Sequence, residues 1–436
     1  MNEYPNALKR NLTSLIDEMS ASPWLFVKHP EKNFTRNRKL PFGRIMHLLI
    51  SMGGNSIYKE LLDAQGYDAS TATTSAFIQQ REKILPCAFE FLLHEFTRLF
   101  PDTKKYRGYR LLAGDGSDLR VTTNPNDLET YIQTNADTQG YNVLHLNALY
   151  DLCSKLYVDT LIQPRKCENE NTALAKMVDR SCIEGPVIVT TDRNYECYNT
   201  FAHIERKGWN YLIRVKDVDS SGILSGLNLP PNGEFDICVK RVLTRKRTNE
   251  IKSHPEIYTS LDYRSPFDFL DSNQLFYSIS FRVVRFKIAD DSYETIITNL
   301  EKQDFPPCEL KALYHMRWGI ETSFRELKYA VGLINFHSKK VECIVQEVFA
   351  RIIMYNFAEM ITSHVVISKA DAKHAYQVNF TLAIHICRHF LRFLNSAPPP
   401  DVEALILKNL LPVRPGRQDS RKIRPKTAVS FVYRIA

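Results

Sequence analysis

The sequence predicts an α/β protein built around a mixed β-sheet, with one helical region before the sheet and another after it. Apolar residues make up 44% and charged residues 24% of the 436 residues, as in an ordinary folded protein. Strand and helix patterns alternate between residues 109 and 215. Helical periodicity dominates the first hundred residues and the stretch from 307 to 395.

The first hundred residues predict helices separated by short breaks. Pro41 suits the first turn of a helix that Gly53-Gly54 ends, and Asn55 is a candidate cap for the next helix. A third helix begins near Thr73, and a fourth spans about 87–100. Two short helices joined by a turn are compatible with a helix-turn-helix that reads DNA. We therefore assign residues 1–105 to an N-terminal helical DNA-binding domain. The polar side of the third helix carries Gln79, Gln80, Arg81 and Lys83.

The mixed sheet follows from the order of the patterns that begin near Arg110. Three strands, a helix, a strand, a helix and a strand succeed one another, so residues 106–216 form the first part of the core. The predicted strands are 109–114, 141–152, 157–163, 187–190 and 209–215, and the predicted helices are 172–183 and 201–207.

The remaining residues interrupt, resume and end this core. Residues 217–294 show alternating patterns and a Pro-Pro-Asn-Gly turn, which predict an all-β insertion. The core then resumes with a strand at 293–300, a long helix from Pro306 or Pro307 to about Ala330, and C-terminal helices. We assign residues 295–395 to this second part of the core and these helices. Residues 396–436 form a basic tail, with seven Lys or Arg against one Asp from 413 onward, in a chain of net charge +8. Such a tail suits phosphate neutralisation, or it is a solvated terminus.

Several classes of protein are disfavoured. No run of about 18 apolar residues predicts a transmembrane helix, and the first thirty residues lack a secretory pattern, so we expect a cytoplasmic protein without a membrane partner. Nine cysteines without a C-x-x-C pair disfavour a disulfide or zinc framework. Cys387 lies between His385 and His389 in an apolar helical pattern, which favours ordinary helix residues over metal ligands.

Two aspartates follow predicted strands. Asp115 ends an apolar strand between two glycines, whose small size lets an anion approach the backbone. Asp192 follows the β-branched strand that begins at Val187. Acids at the ends of neighbouring strands can converge on one cation, although each is also compatible with a simple turn aspartate. Asp118 is less favoured, because it lies beyond the predicted strand end.

A third acid lies on the long helix. At about 100° per residue, Glu321 shares a stripe about 80° wide with a tyrosine and three cations, whereas Glu326 lies on another side. The alternative is a solvated helix face with i,i+4 ion pairs. Asp, Asp and Glu together suit two-metal phosphoryl transfer, in which oxygen ligands hold two Mg²⁺ ions about 4 Å apart. The stripe comprises Tyr314, Arg317, Glu321, Arg325 and Lys328.

These motifs resemble those of bacterial insertion-sequence transposases with a DDE catalytic domain, in the insertion-sequence "four" group marked by Y-x2-R-x3-E-x6-K. The resemblance spans about 110–345, and every spacing in the helix motif is matched. The helix motif reads Tyr314, Arg317, Glu321 and Lys328, the D-G-S motif begins at Asp115, and the D-R-x-Y motif runs from Asp192 to Tyr195.

The resemblance implies a ribonuclease H-like core in which Asp115, Asp192 and Glu321 bind two Mg²⁺ ions, with Mn²⁺ as a substitute. It implies cleavage at the transposon end by water, followed by attack of the freed 3′-hydroxyl on target DNA. The partners would be the terminal inverted repeats, target DNA and a second copy of the chain, in the bacterial cytoplasm at the nucleoid.

The expected DNA contacts fall into two sets. The first lies on or near the motifs, where Trp318 is a candidate for stacking on a flipped base, as in relatives that form a DNA hairpin. The second is the basic run of the insertion, with the nearby Arg241. The first set is Tyr314, Arg317, Trp318, Arg325, Lys328, Arg193 and Tyr195, and the second is Arg245, Lys246 and Arg247.

Two alternative functions remain at this point. One is another ribonuclease H-like nuclease, such as a junction resolvase, against which the four-residue helix motif argues. The other is a DNA-binding regulator that has lost catalysis, which the intact acids disfavour. A strand-transfer assay separates the first alternative from a transposase, because a plain nuclease gives no joined product.

Overall fold

A computed structural model describes residues 2–36, 38–100, 104–133, 135, 139–289, 292–365, 367, 375–392 and 399–413. One large mixed sheet forms the centre of this part of the chain, and helices cover both of its faces. The cations predicted for the basic tail, from Arg414 onward, lie outside the described residues. In the described part, every helix is too short or too polar to cross a membrane.

The predicted N-terminal helices form, with three corrections. Ser56, not Asn55, caps the helix that follows Gly53-Gly54, because the Asn55 amide donates to Glu60 while the Ser56 hydroxyl accepts from the Lys59 amide. Arg81 is buried rather than exposed. The helix that ends at Ala64 and the helix that begins at Thr74 are joined by residues 65–73, a longer connection than the short turn of a helix-turn-helix. These helices are α1 (Glu3–Ala21), α2 (Phe42–Ser51), α3 (Ile57–Ala64), α4 (Thr74–Arg81) and α5 (Cys87–Arg98).

Ten strands of the described chain form the central sheet. Its spatial order is β4-β3-β1-β5-β6-β10-β9-β7-β8, and β2 pairs with β3 beside β4. Strand β1 is antiparallel to β3 and parallel to β5, which is parallel to β6. The strands are β1 (Arg110–Val121), β2 (Tyr131–Ile132), β3 (Tyr141–Asp151), β4 (Leu156–Pro164), β5 (Val187–Thr191), β6 (Asn210–Val215), β7 (Phe235–Thr244), β8 (Tyr258–Ser260), β9 (Phe276–Ala289) and β10 (Ser292–Thr298).

The segment predicted as an all-β insertion also contains a helix. Its strands β7, β8 and β9 continue the central sheet beyond β10. A short helix, α8 (Asn249–Ser253), follows the basic run, because the Thr248 hydroxyl caps it by accepting from the Ile251 amide. The segment is therefore mainly, but not exclusively, β. Before it, helices α6 (Glu170–Arg180) and α7 (Tyr198–Arg206) connect the parallel strands.

The long helix predicted from Pro306 or Pro307 breaks at Arg317. Two helices, α9 (Pro307–Met316) and α10 (Trp318–Tyr329), meet there, and the Arg317 amide bonds the Tyr314 carbonyl with a tighter i,i+3 spacing. The C-terminal region adds α11 (Val341–His364), α12 (Phe380–Arg392), α13 (Val402–Lys408), and a small sheet of β11 (Tyr376–Gln377) and β12 (Leu411–Pro412).

The two faces of the central sheet belong to different apolar cores. Helices α6 and α7 cover one face and contribute Leu174 and Phe201 to its core. Helices α10 and α11 cover the other, where Ala113 and Tyr150 of the sheet meet Phe324. This second core continues without interruption into α1, α2 and α5. The face on which a strand residue lies therefore decides which helices it can contact.

Candidate active site

The sheet register places the two predicted aspartates side by side. Ala113 of β1 pairs with Thr190 of the parallel strand β5. Asp115 and Asp192 each come two residues later, so they lie at the same level on neighbouring strands. Asp192 follows the end of β5, where its carboxylate accepts from the Asn194 amide at 2.9 Å. The Asp115 carboxylate accepts from the Gly116 amide at 2.8 Å.

Arg317 connects the third acid to this pair. Its Nη2 donates to Glu321 Oε1 at 2.9 Å, and its Nη1 lies 3.7 Å from Asp115 Oδ2. The guanidinium is buried between the rings of Tyr314 and Trp318, whose centroids lie 5.7 and 5.2 Å away. One cation therefore holds carboxylates from β1 and α10 together, although about 200 residues separate them in the sequence.

The carboxylates of the site repel one another, and Asp115 is largely buried. Burial raises the pKa of Asp115 to about 7, and repulsion from Asp192 and Glu321 also raises it, while the Gly116 amide and Arg317 oppose the shift. Clustered carboxylates of this kind fit a divalent cation, because hard cations prefer oxygen ligands and offset such repulsion. Asp115, Asp192 and Glu321 would hold it.

Strand β1 is longer than predicted, and this changes the reason why Asp118 is not part of the site. The strand continues to Val121, so Asp118 lies inside it. Side chains alternate between the faces of a strand, which places Asp118 opposite to Asp115. On that face it accepts from His145 at 2.8 Å, beside Glu170.

The space beside the glycines around Asp115 is filled by side chains of neighbouring elements, whereas the sequence predicted that an anion would approach there. A Cβ at Gly116 would lie 2.2 Å from His145 Nε2 and 2.5 Å from Glu170 Oε1. A Cβ at Gly114 would lie 3.0 Å from Thr191 Cγ2. The sequence did not predict that His145 and Glu170 pack beside the site. The signal that could have indicated it is the polar pair His145 and Asn147, two positions apart in the otherwise apolar strand β3.

Comparison with protein families identifies the chain. A family profile described as "Transposase DDE domain" matches residues 106–357, more than half of the chain. The chain belongs to the transposase DDE domain family. It is therefore a transposase, a DNA-cleaving enzyme of DNA transposition, and DDE transposases use divalent metal ions. No curated protein matches the chain.

Among solved structures, the transposase is similar to "Cryo-EM structure of piggyBac transposase synaptic complex with hairpin DNA". The two chains are 10% identical, with a TM-score of 0.44 over 95% of this chain and 87% of that chain.

Hydrogen bonds from residues that follow Glu321 attach α10 of the transposase to the sheet. Lys328 Nζ donates to Ser117 Oγ at 2.7 Å and to the Asp118 carbonyl at 3.0 Å. The Ser323 hydroxyl bonds Tyr157 at 2.8 Å. Glu326 faces away from the site and accepts from Tyr355 at 3.2 Å, which explains why this second glutamate of the helix is structural.

Trp318 lies beside an open cavity. The cavity has a volume of about 470 Å³ and is lined by Tyr314, Arg317 and Trp318 together with Arg214 and Glu294. The Trp318 side chain is 52% exposed. The buried Tyr314 hydroxyl has no hydrogen-bond partner in the described chain. The cavity thus joins an aromatic surface to polar groups next to the carboxylates.

The other predicted DNA contacts differ in exposure. Arg193 and Arg325 are exposed. Tyr195 is only 2% exposed, because its ring packs in the core below Asp192, so it does not face the site. The guanidinium of Arg245 is also engaged, since it donates to four backbone carbonyls of residues 262–267, whereas Lys246 and Arg247 are exposed.

In the described part of the chain, two groups of side chains have metal-ligating atoms within 4.8 Å of one another, and neither includes Asp115, Asp192 or Glu321. Each already has a cationic partner: Arg180 pairs with Asp159 of the first, and Arg165 pairs with Glu168 of the second. All nine cysteines are free, and all lie in the described part of the chain. The groups are Glu90, His94 and Asp159, and Asp118, His145 and Glu168.

Proposed function

We propose that the chain is an insertion-sequence transposase of the Y-R-E-K group with a ribonuclease H-like core. It would bind terminal inverted repeats as a dimer, cleave the transposon ends and join the freed 3′-hydroxyl to target DNA. The strand order supports the core assignment: antiparallel β4, β3 and β1 are followed by the parallel strands β5 and β6.

Asp115, Asp192 and Glu321 would hold two Mg²⁺ ions, for which Mn²⁺ would substitute. The ions would supply an activated attacking oxygen and a stabilised leaving oxygen. The chain's own residues do the remaining work. Arg317 orients Asp115 and Glu321, and its charge offsets that of a phosphate held nearby. Lys328 keeps the end of α10 at the edge of β1.

The DNA contacts we propose are those that reach the surface around this site. Arg193, Arg325 and Lys328 would contact phosphates, and Trp318 would stack on a flipped base at its cavity. Tyr314 and Arg317 would contact the DNA from the wall of the same cavity. We assign Tyr195 a packing role, because its side chain is buried.

The observation that carries the proposal is the convergence of the three acids. The register places Asp115 beside Asp192, and Arg317 joins Asp115 to Glu321. Such a cluster at one sheet edge, beneath exposed cations, fits metal-dependent phosphoryl transfer on DNA better than it fits a regulator that only binds DNA.

The test is cleavage and strand transfer with an end-containing DNA duplex and Mg²⁺. We expect Asp115→Asn, Asp192→Asn and Glu321→Gln to abolish both steps while leaving end binding largely intact. Glu326→Gln is the matched control, because it neutralises another glutamate of α10 that faces away from the site. Cleavage that survives the three changes would refute the triad, and cleavage without joining would indicate a plain nuclease.

A further inference from the structure

A second concave site lies just beyond the end of α10, on the helical side of the molecule. The cavity there has a volume of about 310 Å³. Five elements build it: the end of α10, the turn after it, the turn after α2, α3 and the face of α12 that carries His385 and Arg388. Its lining includes Asn55, Asn335, Thr381, His385, Arg388 and Arg392.

Beneath this cavity the protein buries more positive than negative charge. Four arginines cluster there with two buried glutamates. Glu347 pairs with Arg81, Arg351 and His337, while Arg392 pairs with Glu60 and, at 3.7 Å, with the half-buried Asp63. A buried charge without a partner is unfavourable, so an anion in the cavity would be stabilising. The four arginines are Arg81, Arg351, Arg388 and Arg392.

Arg388 is the arginine of this cluster that forms an ion pair with neither glutamate of the described chain. Its side chain is 94% buried, and no carboxylate of the described chain lies within 4.0 Å of it. It donates from Nη2 to the Val331 carbonyl, and its Nε has no hydrogen-bond partner in the same part of the chain. Burial, together with the charges of Arg351 and Arg392, lowers the pKa of Arg388 to about 9, while Glu60 opposes this shift.

We propose that this cavity binds a phosphate group. Arg388 supplies the unpaired charge, Arg392 adds a cation shared with Glu60 and Asp63, and the Asn335 amide and the Thr381 hydroxyl of the lining supply neutral donors. Glu60 is the one acidic residue among the described residues that line the cavity. It already pairs with Arg392 and accepts from the Asn55 amide, so it does not pair with Arg388.

The position of the cavity favours a phosphate of bound DNA, an inference that rests on the proposed function. Ala330 lies nine residues after Glu321, or about 14 Å along the helix axis at 1.5 Å per residue. That distance equals the axial rise of about four base pairs of a DNA duplex at 3.4 Å each. A strand whose scissile phosphate lies at Glu321 and which follows α10 past Lys328 therefore brings another phosphate to the cavity. A free phosphate compound is the other source of the same group.

The first experiment uses inorganic phosphate and needs no DNA. We expect phosphate to raise the melting temperature of the full chain more than chloride at equal ionic strength, because a ligand that binds the folded state stabilises it. Arg388→Met should weaken this effect by about tenfold in phosphate concentration. Thr381→Glu tests the same point without removing a buried group, because Thr381 is exposed and a carboxylate there repels the anion.

Lys408→Met is the matched control, since it removes one exposed cation from the C-terminal helices outside the cavity. It should respond to phosphate as the unchanged chain does. Equal stabilisation of the unchanged chain by phosphate and chloride, or an undiminished phosphate effect in both Thr381→Glu and Arg388→Met, would overturn the proposal.

The second experiment identifies the source of the phosphate. Transposon-end duplexes each carry one neutral methylphosphonate, two to six nucleotides from the cleaved bond. If DNA fills the cavity, one position should weaken binding by about tenfold in the unchanged chain and by less than about twofold in Thr381→Glu, because the contact is already lost. A positive phosphate result without such a position assigns the cavity to a free phosphate compound. The phosphate result stands apart from the triad test, so either hypothesis can fail alone.

Discussion

At the scale of single residues, strand alternation decides which acids meet. Asp115 and Asp118 are three positions apart in β1, so they face opposite sides of the sheet, and only Asp115 faces α10. The sequence predicted Asp115, Asp192 and the helix face of Glu321 from local spacing alone. It did not reveal how Gly116 is packed, because His145 and Glu170 reach it from other elements.

Gly116→Ala tests this packing. The added Cβ would lie within 2.5 Å of His145 and Glu170, so β1 must shift next to Asp115. We expect a loss of about 1–3 kcal/mol in the free energy of unfolding. Cleavage should fall by about 100-fold, as for an ångström-scale misplacement of a reacting group. Urea denaturation and a cleavage assay measure the two effects.

Removing the obstructing side chains is the control for that change. Combining Gly116→Ala with His145→Ala and Glu170→Ala frees the space, so part of the cleavage should return. If Gly116→Ala cleaves as well as the unchanged chain, the close packing has no influence on the site.

At the scale of elements, sequence patterns predicted most strands and helices to within a few residues, but not their places in the sheet. The basic run after β7 illustrates this. Register through β6, β10 and β9 places Ile237 level with Thr191. Lys246 comes nine residues later, about 30 Å along the strand and about 19 Å across the sheet from β5. This run is therefore remote from the carboxylates, and it would contact a different stretch of DNA.

Neutralising Lys246 and Arg247 tests whether the run contacts phosphates. Each lost phosphate contact lowers the slope of log K against log salt by about 0.9, so Lys246→Gln with Arg247→Gln should flatten it by about two units. Arg245 is left unchanged, because it holds the neighbouring loop. Lys176→Gln with Lys207→Gln, two exposed lysines of the α6 and α7 layer, is the charge-matched control. An unchanged slope in the first pair would make Lys246 and Arg247 simple surface residues.

At the scale of the whole molecule, the sequence predicted a boundary near residue 105 between the N-terminal helices and the sheet, whereas one apolar core extends across it. Periodicity predicted the N-terminal helices correctly, yet it placed Arg81 on the exposed side of α4. A buried ion pair of 2.8 Å joins Arg81 to Glu347 of α11, and the partner lies too far along the chain for local spacing to indicate it. Apolar residues of α1, α2 and α5 also share one core with α11. The N-terminal helices and the sheet should therefore unfold together.

Two tryptophans report on this cooperativity. Trp24 lies in the N-terminal region, and Trp209 is buried beside the sheet. In variants that retain one of them, with the other tryptophans changed to phenylalanine, urea transitions followed by fluorescence should coincide. Arg81→Met should move both transitions together and lower stability at pH 7 by about 3–5 kcal/mol, because it leaves Glu347 buried without its closest cation.

The pH dependence of the same variant follows from Glu347. Burial raises the pKa of Glu347, but Arg81, His337 and Arg351 outweigh it and lower the pKa to about 2. Since the unfolded pKa is about 4.5, the ion pair stabilises the fold above that pH, and this contribution is lost as the pH falls toward 2. The deficit of Arg81→Met should therefore shrink in acid, where the carboxyl takes up a proton. A deficit that is independent of pH would show that ionisation of Glu347 does not cause it. A Trp24 transition at lower urea than that of Trp209 would show that the N-terminal helices unfold separately from the sheet.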